Sequence, residues 1–224
     1  TGKSFIAKQI AHTLQPKTGL YTAFNKAIVE EGISKFRGTN MECKTLHALA
    51  YKYVRPETDI NDISYSCIEE DISYTKKYAV ITAINMFFVS ASEDMYDFME
   101  EYFAKYDDGL ELAEYGVKYI TMIAEGELNP TFNYLLKAFH LMLVEGSVVC
   151  KYDLVILDEI NDTTAVALEI FKLIDSPKKL GLGETNQAIY DFLNLVDGFE
   201  ELKHVADVYP LTQSYRCSER IASD

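Results

Sequence analysis

Tryptophan is absent from this 224-residue chain, and proline (5) and cysteine (4) are scarce. Without tryptophan, the flat rings available for a core or a stacking platform are 16 tyrosines and 12 phenylalanines. The four cysteines, Cys43, Cys67, Cys150 and Cys217, form no C-x-x-C pair. That spacing argues against a disulfide framework or a zinc site and for reduced thiols. No apolar run is long enough to span a bilayer, and no secretory signal is present. A soluble intracellular protein with no membrane partner is therefore expected.

Positive charge is also short, with 21 Lys/Arg against 35 Asp/Glu and a net charge of −14. An evenly acidic chain would repel nucleic acid, but this one is uneven. Residues 1–55 hold nine basic and three acidic side chains, and residues 56–224 hold twelve and thirty-two. A basic first quarter on an acidic body suits a localised polyanion-binding surface, and the plainer reading is an acidic chain that happens to begin with lysines.

Hydrophobic spacing divides the chain. Residues 1–14 carry Phe5, Ile6, Ile10 and Leu14 on one helical face, and Pro16 and Gly19 end that helix. A strand is expected over Gly19–Phe24, a helix capped by Asn25 and running to about Phe36, a strand over Met41–Lys44, and a helix over Leu46–Val54. Residues 56–146 change character. They carry eighteen acidic and five basic residues and read as mostly helical over Cys67–Met99 and Leu110–Leu143. Their aromatics at helical spacing, Phe87–Phe88, Met95–Phe98 and Tyr102–Phe103, read as core. Beyond them strand and helix alternate again: Leu154–Leu157 strand, Thr164–Ile174 helix, Lys179–Leu182 strand, Val205–Pro210 strand, then a helix capped by Ser218. This order predicts an α/β fold, a parallel sheet with helices on both faces interrupted by a mainly helical insertion. The division expected is 1–55 and 147–224 for the sheet domain and 56–146 for the insertion.

Four short segments carry chemistry. Thr1-Gly2-Lys3-Ser4 matches the end of the phosphate-binding loop G-x-x-x-x-G-K-[ST], in which Lys3 reaches the β- and γ-phosphates and Ser4 holds Mg²⁺. The chain is thus expected to be incomplete at its N-terminus. Leu154–Glu159 is an apolar strand ending in two acids. Asp158 suits a Mg²⁺-organising carboxylate and Glu159 one that deprotonates an attacking water; alone, the pair could equally be a polar strand end. In Gly181–Phe192, Gln187 suits a sensor of a terminal phosphate, while Tyr190 and Phe192 suit either base stacking or local packing. Arg216 suits either a charge aimed at a transferring phosphoryl group or a surface salt bridge.

Taken in order, these segments resemble the first motor domain of UvrD/Rep/PcrA-type superfamily I DNA helicases. YDLVILDEINDTT resembles the strand-plus-DExQD box, GLGETNQAIYDF the G-D-x-x-Q-x-I-Y segment, and LTQSYRCSERI the L-x-x-x-Y-R-S segment. YTAFNKA and TLHALA resemble two early DNA-contacting motifs. AFNKA and TQSYR are especially similar to the F-box DNA helicase branch and its phage or bacterial relatives. The match covers roughly 1–54 and 150–224. In the middle, the family inserts its helical 1B subdomain.

The resemblance implies a RecA-like P-loop NTPase that uses ATP and Mg²⁺ to move 3′ to 5′ on single-stranded DNA. Lys3 and Ser4, with Thr1 and Gly2 in the same loop, would hold phosphate and Mg²⁺. Asp158 would organise the ion, Glu159 act as base, Gln187 and Arg216 contact the γ-phosphate, and Tyr215 stack on adenine. Tyr190 and Phe192 would stack on bases, with Phe192 where the family often has Trp. Thr45 and His47 would lie along the DNA backbone, near Asn25 and Lys26. Asn161 stands where the family usually has Gln, and Glu184 where it usually has Asp. The implied partners are single-stranded DNA with a duplex junction and a second RecA-like domain of the full-length chain; the acidic insertion separately offers a surface for a protein partner. This portion alone is expected to hydrolyse ATP poorly. Two alternatives stay open: a DNA-dependent ATPase that remodels protein–DNA complexes without unwinding, and a truncated, non-catalytic interaction module. RNA is also open as the strand bound.

Overall fold

A computed structural model describes residues 2–23, 25–184 and 195–211. The chain divides into two compact units, one of Thr1–Leu46, Val149–Thr163 and Ile174–Asp224, the other of His47–Val148 and Thr164–Leu173.

In the first unit, α1 (Lys3–Leu14), β1 (Gly19–Ala23), α2 (Lys26–Lys35) and β2 (Met41–Thr45) follow in order, with β3 (Leu154–Asp158) and β5 (Lys179–Gly181) supplied from the far end of the chain. Thr163 of this unit begins the two-residue β4 (Thr163–Thr164), which pairs with β6 (Leu195–Val196), and α9 spans Gly198–Leu202. The four-stranded sheet has the order β2-β1-β3-β5, and every pairing is parallel. The fold is α/β with a RecA-like parallel sheet flanked by helices, as the strand–helix alternation predicts. All five residues of β1 and all five of β3 are buried, the signature of parallel strands covered on both faces. On one face, Tyr21, Leu154 and Ile156 pack with Ala7 and Ala11 of α1 and with Phe36 after α2. Asp153 fixes where β1 starts beside β3, because its carboxylate accepts from the backbone N–H groups of Lys17 and Thr18 at 2.8 and 2.9 Å.

The second unit holds α3 (Leu46–Val54) apart from its first residue, α4 (Tyr74–Val89), α5 (Met95–Phe103), α6 (Gly109–Ala124), α7 (Phe132–Val144) and α8 (Ala165–Leu173). Phe87, Phe88, Met99 and Phe103 form its core with Leu112, Tyr119 and Ile120, while Phe98 and Tyr102 pack against the edge. The expected aromatic core is therefore present. Ser73, Asp94 and Thr131 cap α4, α5 and α7 through their side chains, dividing what periodicity alone reads as two long helical stretches.

One buried cation belongs to this unit. The Lys137 ammonium donates to the Ser90 and Ser92 carbonyls at 2.8 and 2.7 Å, just past the end of α4, and lies 4.5 Å from the Phe87 ring centre. Burial pulls its pKa down to about 8.

One expectation needs correction, and one short element was not expected. Residues 205–211 pair with no strand among the described residues, and Val205, Val208 and Tyr209 are exposed. Their apolar, β-branched pattern finds no neighbouring ladder, and strand preference is expressed only where one exists. The short helix α9 lies just before them, capped by Asp197 through the N–H groups of Phe199 and Glu200; periodicity did not reveal a five-residue element. The helix expected after Ser218 lies outside the described residues.

Candidate active site

The site is built where β3 ends. Even-numbered residues of β3 share a face, so Asp158 follows Leu154 and Ile156 toward α1. Register sets Ala23 beside Asp158 and Tyr21 beside Ile156. Tyr21 is therefore the diagonal, same-face neighbour of Asp158, within reach of a long side chain. Its hydroxyl donates to Asp158 Oδ2 at 2.5 Å, and the Glu159 N–H donates to Oδ1 at 3.0 Å. Tyr21 and Asp158 are 1% and 5% exposed. Burial, and then the bond to Asp158, push the Tyr21 phenol far above its ordinary range. Gly32 of α2 makes room for it: a Cβ there would lie 2.4 Å from the Tyr21 ring.

Glu159 has φ 54° and ψ 53°, a left-handed conformation that costs a non-glycine residue energy and clusters at functional sites. The turn brings its carboxylate to the N-terminus of α1, where Lys3 Nζ lies 3.1 Å from Oε2. No side chain caps α1 and its first turn holds no acid, leaving its first N–H groups and the positive end of its dipole for an anion. Ser4 Oγ accepts from Lys35 Nζ at 2.9 Å, and Lys35 also pairs with Glu31 at 2.9 Å.

Gly2, Lys3, Ser4, Asp158 and Glu159 thus lie in one region of the first unit. The donor set is an ammonium, a hydroxyl, two carboxylates and an uncapped helix start, which fits a nucleotide phosphate with a divalent ion. No group of three or more His, Cys, Asp or Glu side chains suited to a metal occurs among the described residues. A divalent ion here would draw most of its ligands from phosphate and water, the usual way Mg²⁺ is held.

The other described candidates fall on α2, β2 and α3. Asn25 is exposed and caps α2, its side chain accepting from the Ala27 N–H at 2.7 Å. Lys26 is exposed and sits 3.8 Å from Glu30. Thr45 ends β2. His47, in α3, is half-buried, edge-on to Phe132, and its pKa is lowered by burial despite a bond to Asn133. Thr1, Gln187, Tyr190, Phe192, Tyr215 and Arg216 lie outside the described residues.

No family model matches the chain. The chain is similar to F-box DNA helicase 1 of Gallus gallus, 25% identical over 252 aligned residues, covering 99% of this chain and 24% of that protein. It spans about a quarter of the length of the curated relative it matches. At this identity the similarity supports a helicase-like relationship in coarse terms. No helix among the described residues is long and apolar enough to cross a membrane.

Three side chains at the site escape sequence reading. Tyr21 looks like one more apolar strand residue until register places it beside Asp158. Lys35 is invisible because nothing in sequence brings the end of α2 to Ser4. Asn161, noted only as a departure from Gln, is a buried latch. Its Oδ1 accepts from the Glu184 N–H at 3.0 Å and its Nδ2 donates to Asp197 at 3.3 Å. It ties the turn after β3 to the segment after β5 and to the start of α9.

Proposed function

We propose that this chain is the first motor domain of a UvrD/Rep/PcrA-type superfamily I helicase, coupling ATP hydrolysis to 3′-to-5′ movement on single-stranded DNA in the full-length protein. On this reading residues 1–55 and 147–224 are subdomain 1A and residues 56–146 are subdomain 1B. The observation that carries the reading is the meeting of Lys3, Ser4, Asp158 and Glu159 where α1 begins and β3 ends. The order of the flanking motifs and the similarity to a DNA helicase support it.

In this reading Lys3 holds the β- and γ-phosphates of ATP, and Ser4 and Asp158 would hold Mg²⁺, which would supply positive charge beside the phosphates. Glu159 accepts the proton of the attacking water. The same Glu159 carboxylate pairs with Lys3 in the structure, so phosphate engagement by Lys3 releases the base for that task. Tyr21 and the Glu159 N–H fix the carboxylate plane of Asp158. Asn161 links the site to the segment leading into Gln187, the proposed γ-phosphate sensor. Arg216, Tyr215, Tyr190 and Phe192 keep the roles the resemblance gives them, and DNA passes along Thr45, His47, Asn25 and Lys26. Lys44 contributes less positive charge than its type suggests, because it pairs with Glu42 at 2.6 Å.

The test is ATP turnover by the full-length protein, with and without single-stranded DNA, beside Glu159→Gln. DNA-stimulated turnover that falls by about 10²–10⁴-fold in the variant supports the reading. A folded, DNA-binding protein whose turnover is unchanged by Glu159→Gln overturns it.

A further inference from the structure

We infer that the trough between α5 and α6 is a docking groove for a basic amphipathic helix of a partner protein. This inference stands apart from the motor reading, since it uses only the helical unit.

The groove follows from helical spacing. Leu110, Ala113, Glu114 and Val117 recur at i, i+3, i+4 and i+7 along one face of α6, and Tyr96 and Glu100, four apart on α5, form the facing wall. Together they line a cavity of about 300 Å³. A second cavity of about 380 Å³ shares Glu100 and Leu110 and continues the trough past the α5–α6 turn. The two helices approach closely because Gly116 faces Met99, where a Cβ would lie 2.6 Å from the sulfur.

The lining is apolar where it should be wet. Leu110 is 72% exposed and Tyr96 58% exposed, side by side on one trough. An apolar floor with spaced ridges is what an amphipathic helix docks into. The rim chooses the sign of the partner. Glu100 and Glu114 flank the floor, and Asp107 and Glu111 extend the acidic edge along the second cavity. Two of the nearby cations are already engaged: Lys118 pairs with Glu70 at 2.6 Å, and Lys76 pairs with Asp108, while Lys105 is exposed beside the second cavity. A partner helix with leucine-like side chains on one face and Lys or Arg beside them meets both features. A nucleic acid backbone meets neither, because its charge has the same sign as the rim.

The probe is a fluorescein-labelled lysine/leucine peptide of about 18 residues with leucines at i, i+3, i+4 and i+7. A peptide of the same composition with leucines scattered round the helix is the control, and anisotropy is read on the full chain. Two variants separate apolar docking from mere charge. Leu110→Asp removes the floor but adds a negative charge; it lies in the first turn of α6, where an acid suits the helix dipole. Glu100→Lys/Glu114→Lys reverses the rim on exposed positions. We expect each to weaken the patterned peptide by about tenfold or more, as loss of a central apolar anchor or of a charged rim does. We expect the scattered control to bind more weakly than the patterned peptide, and hydrogen exchange to slow over residues 96–118. Equal affinity for both peptides, unchanged or tighter binding to Leu110→Asp, or a preference of this face for a DNA duplex over the peptide overturns the inference.

Discussion

Replacing Tyr21 with Phe removes one oxygen from the sheet unit and nothing else. The ring remains, 4.8 Å from the Phe36 ring centre, and no cavity opens. What is lost is a buried hydrogen bond to a carboxylate, after which the Glu159 N–H still donates to the other Asp158 oxygen. Hydrogen bonds to charged groups contribute about 1.5–3 kcal/mol, and leaving a buried acceptor unsatisfied falls in the same range. With a urea slope of about 2 kcal/mol/M, the midpoint should fall by about 1 M. Circular dichroism suits the measurement because the chain has no tryptophan. Native-state hydrogen exchange over residues 19–23 and 154–158 assigns the loss to the sheet unit. The pH dependence sharpens the test. The folded pKa of Tyr21 is raised above its unfolded value of about 10. Its contribution is therefore complete below pH 10 and declines as pH rises past that value. The gap between wild type and Tyr21→Phe should thus narrow above pH 10. A midpoint within about 0.2 M of wild type at neutral pH, or a gap that widens in alkali, would refute the reasoning.

Lys137→Met should show the opposite pH behaviour. Burial depresses the folded pKa of Lys137 to about 8, so its contribution is complete above the unfolded value of about 10.4 and is lost as pH falls through 8. Wild type should therefore gain up to about 3 kcal/mol on the variant between pH 8 and 10.4, read by urea melts across that window. Gly183→Ala puts a methyl 2.1 Å from Asn161 Oδ1 and 2.8 and 2.9 Å from Ile160 and Phe199. It should cost about 1–3 kcal/mol and speed exchange of the Glu184 N–H, which Asn161 holds. Cys43, whose thiol burial pushes up to about 11, should be alkylated slowly at pH 8 in the native protein and rapidly after unfolding, as mass spectrometry would show.

The sheet was legible because its strands are buried on both faces. Leu154–Leu157 can hardly be anything but a central parallel strand, and Pro16, Gly19 and Asn25 punctuate the elements around it. The acids after β3 and the lysine at the start of α1 were legible because their spacing is fixed by backbone chemistry. Tyr21, Lys35 and Asn161 were not, since each acts through register or through a contact between segments 23 to 137 residues apart. Residues 205–211 show the converse failure: a strand-like pattern without a strand to pair with. The breaks at Ser73, Asp94 and Thr131 were available in principle as capping residues, but the apolar periodicity across them outweighed the caps.

The flush ends of three strands have a further consequence. Ala23 lies level with Thr45 on one side and with Asp158 on the other, so β1, β2 and β3 finish on one line. Because successive side chains alternate between faces, inserting or deleting a single residue within β3 would turn Asp158 away from Tyr21 and α1 while leaving the strand's composition almost unchanged. The length of β3 therefore carries as much information as its letters. At the turns of Gly126 and Gly146, where a Cβ would meet nothing within 4 Å, a change of length would leave the alternation of β3 untouched.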